Sequence, residues 1–495
     1  MIRAVAAKRQ AESPGEQQHT HMPYILAAII FLAHLFPLAA PAHAAPPAKA
    51  DAALVVERLT FGPTIDLYGS INNDGGADFV RRQLDPESLP EPAILTRYLA
   101  SLPLCADGPV ELFRTQSKSG DTAAAEAVVR EAGVQALASR LARAALSPRQ
   151  LKEAMAGFWL SFFLPDTGKS LARLWYGAFE REAILPFALG RFEDLLAAVI
   201  RHPAMLVAYD NWESSAPGGP GIKSAPGTLN PALARTVLKD MTMGQAQPKD
   251  VTALASVLTG WGLGAPREPG DENGVSFDAL RHAKGPKDFL GVGIPALGRG
   301  ELALAVKCLA ADPATAKFVC SRLAAHFLRG APPAALVDKM AAAYRGHGGA
   351  IRDVLAVLFA SREFLGSAKA WRPPQSDFEF AVAAVRLLGP EGFDYTALAH
   401  ALAKMDCPLF GREPGRSAAS APGKQGLAAR KRLAEGLCRG EFAVVKTAPP
   451  ALPPAEAMLA ALPGKFSEAA LRKIRSAPEA DRPLAIVSSE EFLAK

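Results

Sequence analysis

His282 is the residue best placed to do chemistry. It stands in a glycine- and proline-rich stretch beside Arg281 and Lys284, and loops are where a rigid scaffold presents functional side chains. An imidazole can ligate a metal or carry a proton near neutral pH; its plainer role here is to fix the turn through a backbone hydrogen bond. Asp210 and Asn211 lie between a helical run and a flexible loop, where a turn-forming Asx pair explains them without a ligand. Asn230 and Pro231 read as the N-cap and first residue of the next helix. Arg235, one turn on, reaches Asp210 or a C-terminal carbonyl, with a structural ion pair as its default. Asp210, Asn211, Asn230, Arg235 and His282 therefore form the candidate binding pocket.

The remaining polar residues form no catalytic set. His202-Pro203 reads as the end of one helix and the start of another, while His326, His347 and His400 are isolated. Asp166, Glu180, Glu182 and Asp194 have no paired spacing, and Met241 with Met243 fits core packing. No phosphate-cradling glycine loop followed by Lys-Ser/Thr, no Gly-x-Ser-x-Gly elbow and no His-Glu-x-x-His is found. No catalytic residue, metal ligand set or cofactor is assigned.

The elements that must position these residues are helices punctuated by proline and glycine. Leu151, Met155, Phe158, Trp159 and Phe162 form a helical stripe, with Ser147 as N-cap and Pro148 as first helical residue. Ile351, Val354, Leu355, Leu358 and Phe359 repeat the pattern, as do Leu336, Val337, Met340 and Tyr344. Further helices are predicted over 123–146, 191–201, 232–243, 249–260, 301–311, 313–328, 376–388 and 467–476. The expected fold is mostly α, a large multi-helix body with long irregular loops at 214–229 and 262–298 and a less ordered C-terminal arm. The second loop has room for a short hairpin.

Composition agrees. The 495 residues are 49% hydrophobic but only 7% aromatic, and alanine dominates over β-branched runs, which favours helix. The net charge of +6 is concentrated between Lys404 and Lys446, where nine Lys/Arg meet four Asp/Glu, a surplus of five. That stretch offers weak contact to a polyanion such as anionic lipid headgroups or wall polymers. It lacks the aromatic interleaving of a nucleic-acid site.

The amino terminus has the plan of an export signal: Arg3, Lys8 and Arg9, an apolar core over 23–40, and Ala42-His43-Ala44 before Ala45. A membrane anchor is the rival, but Pro37 and His34 interrupt a run that barely reaches the ~20 residues of a span; Met22 is an alternative start. Exported, periplasmic or cell-envelope location follows, with no transmembrane span after signal cleavage. The chain then divides into a signal peptide (1–44), a short linker (45–51), a helical domain (52–403), a Pro/Gly/basic linker (404–450) and C-terminal helices of the same domain (451–495). Of Cys105, Cys308, Cys320, Cys407 and Cys438, an odd number, at least one stays unpaired. Cys308–Cys320 and Cys407–Cys438 are the pairings that would join neighbouring elements; buried free thiols are the simpler reading.

Several phrases, in order, resemble the exported bacterial family called domain of unknown function 1800. They include Arg58-Leu59-Thr60-Phe61-Gly62-Pro63, the helix Leu151 to Phe163, and Arg181-Glu182-Ala183-Ile184-Leu185 leading to Phe192-Glu193-Asp194-Leu195-Leu196. His202-Pro203-Ala204-Met205-Leu206, Leu258-Thr259-Gly260-Trp261 and Ser488-Ser489-Glu490-Glu491-Phe492-Leu493 continue the series. The resemblance implies that the helix at 230–244 usually reads Asn-Glu-Asn-Leu-Ala-Arg-Glu-Leu-Leu-Glu-Leu-His-Thr-Leu-Gly. Here Asn230, Leu233, Ala234, Arg235, Thr242 and Gly244 match. Pro231, Thr236 and Lys239 stand where glutamates are expected, and Met241 where histidine is expected. Leu160 and Phe162 likewise replace two histidines.

Carboxylates and imidazoles drawn from two helices are the usual material of a metal site or acid–base pair, and Leu, Phe and Met can serve in neither. The chain is thus identified as a degenerate member. The expected function is that of an exported, non-catalytic binding or scaffold protein that has lost the Glu/His cluster, with Lys239 placing positive charge where a cation would sit. The alternative is a metal-assisted hydrolase rebuilt around His282, Asp210 and Arg235. The resemblance also implies another exported protein as partner, since sulfatase-like families are often neighbours of this one.

Overall fold

The computed structural model describes residues 51–164, 168–221, 226–264, 273–367, 376–405, 424–445 and 451–493. The expected export signal, Asp166, and residues 406–423 (with Cys407) and 446–450 of the expected 404–450 linker lie outside them.

The helices that carry the argument are α1 (Ala52–Leu59), α2 (Gly76–Leu84), α3 (Thr122–Leu146), α4 (Gln150–Phe163), α5 (Phe192–Arg201), α6 (Pro203–Ala208) and α7 (Ala232–Thr236). After them come α8 (Pro248–Leu258), α9 (Glu301–Ala311), α10 (Pro313–Leu328), α11 (Ala334–Gly346), α12 (Ile351–Phe359), α13 (Asp377–Leu388), α14 (Tyr395–Ala403) and α15 (Lys424–Arg439). The mostly helical fold read from the sequence holds. The 262–298 excursion carries two antiparallel hairpins: β1 (Trp261–Leu263) pairs with β2 (Val275–Phe277), and β3 (Lys287–Phe289) with β4 (Val292–Ile294).

Helix α3 organises the interior. Asp121 caps it by accepting from the Ala124 amide, and its alanines let neighbours approach closely. A Cβ on Gly177 would lie 2.7 Å from that of Ala136, so glycine is required there. Val129 and Ala132 join a large apolar core built from α1, α4, α5 and α8–α12. Leu137, Leu141 and Ala145 face a second core with α13, α14, α15 and the C-terminal helices. Residues 424–439, read from the sequence as part of a linker, are instead helical, because Leu433, Ala434 and Leu437 give the basic run a face to bury.

Local corrections have local causes. Ser147 does not cap α4: it closes α3, its N–H donating to the Arg143 carbonyl, and α4 begins after Arg149. The Ser147 hydroxyl still accepts from the Arg149 amide at 3.1 Å. Cys308 and Cys320 are free thiols; Cys320 is fully buried in the large core while Cys308 sits at its margin.

Candidate functional site

The turn after α8 and the two hairpins converge on His282. Gly260 makes that turn possible: it has φ of 81°, and a Cβ there would lie 2.6 Å from the Asp278 carbonyl and 3.2 Å from the His282 Cβ. Thr259, just before it, is buried; its hydroxyl donates to the Ser256 carbonyl at 2.6 Å and accepts from the Ala283 amide at 2.8 Å. The Thr259 carbonyl lies 2.8 Å from His282 Nδ1, so Nδ1 must carry a proton and donate. His282 Nε2 then faces Glu301 Oε2 at 3.1 Å and Lys287 Nζ at 3.4 Å.

Lys287 opens β3 and Glu301 opens α9, so strand and helix bring an ammonium and a carboxylate together. They meet at 2.7 Å with side chains 6% and 1% exposed, and that burial marks the pair as internal rather than a surface ion pair. Lys287 Nζ also donates to the Ala283 carbonyl at 2.5 Å. It also lies within reach of His282 Nε2 and of the Glu301 carboxylate. The Glu301 Oε2 contacts are close in distance but poorly aligned as hydrogen bonds, so they are ion-pair attraction. Its Oε1 accepts from the Gly298 amide at 3.1 Å.

The other pocket candidates are each used structurally. Asp210 has the left-handed φ of 53°, half-exposed, and pairs with Lys169 at 2.6 Å. Asn211 is buried and its amide nitrogen donates to the Leu258 and Trp261 carbonyls, pinning the turn beside His282. Asn230, expected as the N-cap, stands one residue before that position, which Pro231 takes on α7; it accepts from the Ala232 amide and donates to the Tyr209 carbonyl. Arg235 is exposed and has no ion pair among the described residues. Asp210, Arg235 and His282 thus have different partners and share no contact. Arg235 does not hold Asp210, because Lys169 does.

The helix at 230–244 has an unusual turn. After α7 it widens into a π-helix over Val237–Thr242, with the Thr242 hydroxyl donating to the Val237 carbonyl at 2.8 Å. Met241 is buried in the core, but Lys239 points to solvent. The expectation that Lys239 fills a cation position is therefore wrong; the ammonium lying between a carboxylate and an imidazole belongs to Lys287. Gly244 ends the motif with φ of 72°, and a Cβ there would approach the Phe318 ring at 2.9 Å. Phe318 in turn packs on Phe162 of α4, with ring centroids 6.0 Å apart. The two motif helices are thus joined by aromatic packing. Among the described residues no three His, Cys, Asp or Glu side chains are grouped as a metal would need.

A family model described as "Protein of unknown function (DUF1800)" matches residues 54–485. The chain belongs to the DUF1800 family. Neither the comparison with curated proteins nor that with solved structures returns a match.

Other DUF1800 phrases in this chain also have structural uses. Arg58, buried on α1, donates to the Phe327 and Ser367 carbonyls. The Phe61 amide donates to Gln150 Oε1, and the Gly62 carbonyl accepts from Arg386 Nε at 2.7 Å. Arg181-Glu182 sits in a second π-helix, Glu180–Ile184. Buried His202 caps α6, Nδ1 accepting from the Ala204 amide at 3.2 Å, and its Nε2 lies 3.7 Å from Glu182. Burial holds the His202 imidazole below its ordinary value, although Glu182 pulls the other way. Burial alone would raise the Glu182 carboxyl; His202 and Arg181 outweigh it and leave it lowered.

Between α3, α4 and that π-helix lies a two-plus-two charge network that sequence spacing did not expose. Glu180 meets Arg143 at 2.8 Å and Arg140 at 3.2 Å, while Glu153 meets only Arg143, at 3.1 Å. Arg143 and Glu153 are both shifted upward, for different reasons. Arg143 is raised, since Glu180 and Glu153 together overcome burial. Glu153 is raised too, because burial and the repulsion of Glu180 exceed what one shared arginine returns. Four charges in balance make this a packing device of the interior. Lys287, Glu301 and this network were missed because none has a short-range spacing signature.

Proposed function

We propose that this chain is an exported cell-envelope protein of non-catalytic type, a degenerate DUF1800 member that binds or scaffolds, located in the periplasm after cleavage of residues 1–44. The observation that carries the reading is the position of the buried Lys287 ammonium between His282 and Glu301, where it also donates to the Ala283 carbonyl. A cation bridging an imidazole and a carboxylate is what a metal ion would supply, and here the chain supplies it covalently. The Phe162–Phe318–Gly244 contact supports the same reading, since it joins the two helices on which the family resemblance places histidines and glutamates. Another exported protein, of the sulfatase-like kind, is the proposed partner by analogy. No helix among the described residues is long and apolar enough to cross a membrane.

Elemental analysis of the purified protein tests the catalytic half of the reading. The expected result is no stoichiometric divalent metal after dialysis. About one equivalent, lost in His282→Ala, would overturn it. Cell fractionation with N-terminal sequencing tests the location: a periplasmic protein beginning at Ala45 is expected, and a cytoplasmic protein retaining residues 1–44 refutes it.

A further inference from the structure

A second buried cation has no carboxylate. Arg386, on α13, is 4% exposed, and burial pushes its guanidinium down to about 10. Nε donates to the Gly62 carbonyl, and Nη1 to the Ala144 and Ala145 carbonyls at 3.4 and 2.9 Å. Those two carbonyls belong to the last turn of α3, where the helix dipole favours a cation. Nη2 has no hydrogen-bond partner among the described residues, yet it is not among the buried polar atoms sealed from solvent without one. Arg386 lines a cavity of about 330 Å³. The volume lies at the small end of the ~300–1,000 Å³ typical of small-molecule sites.

The walls define the guest. Leu67, Phe79 and Ile94 supply apolar surface. Arg82 also lines the space but is already neutralised by Asp74 at 2.9 Å and Asp78 at 3.3 Å, and the exposed Glu391 adds negative charge at the lining. Among the described residues Arg386 is the one lining cation without a carboxylate in contact, and with Glu391 nearby it suits a monoanion and disfavours a dianion such as phosphate.

We propose that this cavity binds a small monocarboxylate with an apolar body, its carboxylate on Arg386 Nη2 and its hydrocarbon against Leu67, Phe79 and Ile94. This site is distinct from the His282 cluster, and its failure would leave the reading of that cluster untouched.

Saturation-transfer NMR and calorimetry on the full chain, with benzoate and hexanoate as probes, test the proposal. Benzyl alcohol, the neutral counterpart, should bind roughly tenfold more weakly or worse, because only the charged group completes a charge-assisted hydrogen bond. Inorganic phosphate should bind no better than benzoate. Ile94→Trp, which fills the cavity and leaves Arg386 in place, should abolish binding while retaining the circular dichroism of the parent. The proposal is overturned if neither carboxylate binds at about 10 mM, if benzyl alcohol matches benzoate, if phosphate binds tighter, or if folded Ile94→Trp binds benzoate unchanged.

Discussion

Lys287→Met removes one ammonium and keeps most of the hydrophobic stem. In the parent that ammonium satisfies Glu301 at 2.7 Å, with the carboxylate side chain 1% exposed. Deleting it leaves a buried carboxylate without its ammonium partner, beside the His282 ring. Breaking a buried pair from one side costs about 3–5 kcal/mol. Unfolding entropy of about 2.1 cal/mol/K per residue, applied to the matched residues 54–485, gives about 0.9 kcal/mol per degree, so the melting temperature should fall by roughly 3–6 °C. Urea titration and thermal melting beside the parent measure this. The double variant Lys287→Met/Glu301→Leu should recover most of the loss, since it removes the stranded charge as well. A single-variant loss below about 1 kcal/mol, the size of an exposed pair, would refute the assignment of Lys287 as the internal cation of this cluster.

Other perturbations separate the interior networks from the surface. Asp210→Asn should change stability by less than about 1 kcal/mol in denaturant titration, because the Lys169 pair is half-exposed and asparagine tolerates the left-handed backbone. His202 is held below its ordinary 6.5 by burial. The unfolded chain therefore takes up the proton first, and stability present above pH 6.5 is lost as pH falls below it. His202→Asn keeps a cap acceptor without titrating, so its urea midpoint should be flatter across that window; an unchanged acid slope contradicts the assignment. Lowered Glu182 adds a separate loss that begins only below its ordinary 4.5. Gly244→Ala should cost about 1–3 kcal/mol by thermal melting, since φ of 72° and the Phe318 ring 2.9 Å away both oppose a side chain; a neutral result would contradict that packing.

The sequence disclosed what depends on neighbours along the chain. Leu151, Met155 and Trp159 lie fully inside because a helical stripe has only one way to be buried. The helix boundary at His202 was legible since capping is local, whereas at Asn230 the boundary falls one residue later, on Pro231. Lys287 and Glu301 were not, because a lysine five residues past a histidine reads as solvated until a strand and a helix turn it inward. Lys239 was misread for a related reason: the π-turn in 237–242 changes which positions face the core, and residue spacing does not reveal a widened turn. Arg386 did leave a trace, as the one cation inside the otherwise apolar run from Phe380 to Leu388.

The two buried arginines without close carboxylate partners show how the fold distributes charge. Arg58 and Arg386 both rest on carbonyls at helix ends, Arg58 on Phe327 in the last turn of α10 and Arg386 on Ala144 and Ala145 in the last turn of α3. Each offsets the partial negative charge of orphan carbonyls, and through Ser367 and Gly62 each ties a distant segment to a helix end. Their surroundings then differ. Arg58 Nε is sealed without a partner or a route to solvent, and burial, with Arg329, lowers its guanidinium from the ordinary value against the opposing pull of Glu57 on the same helix. Arg386 instead borders a cavity. A buried cation beside a cavity retains charge that a small anion can meet, and the proposed ligand chemistry therefore lies where α3 meets α13.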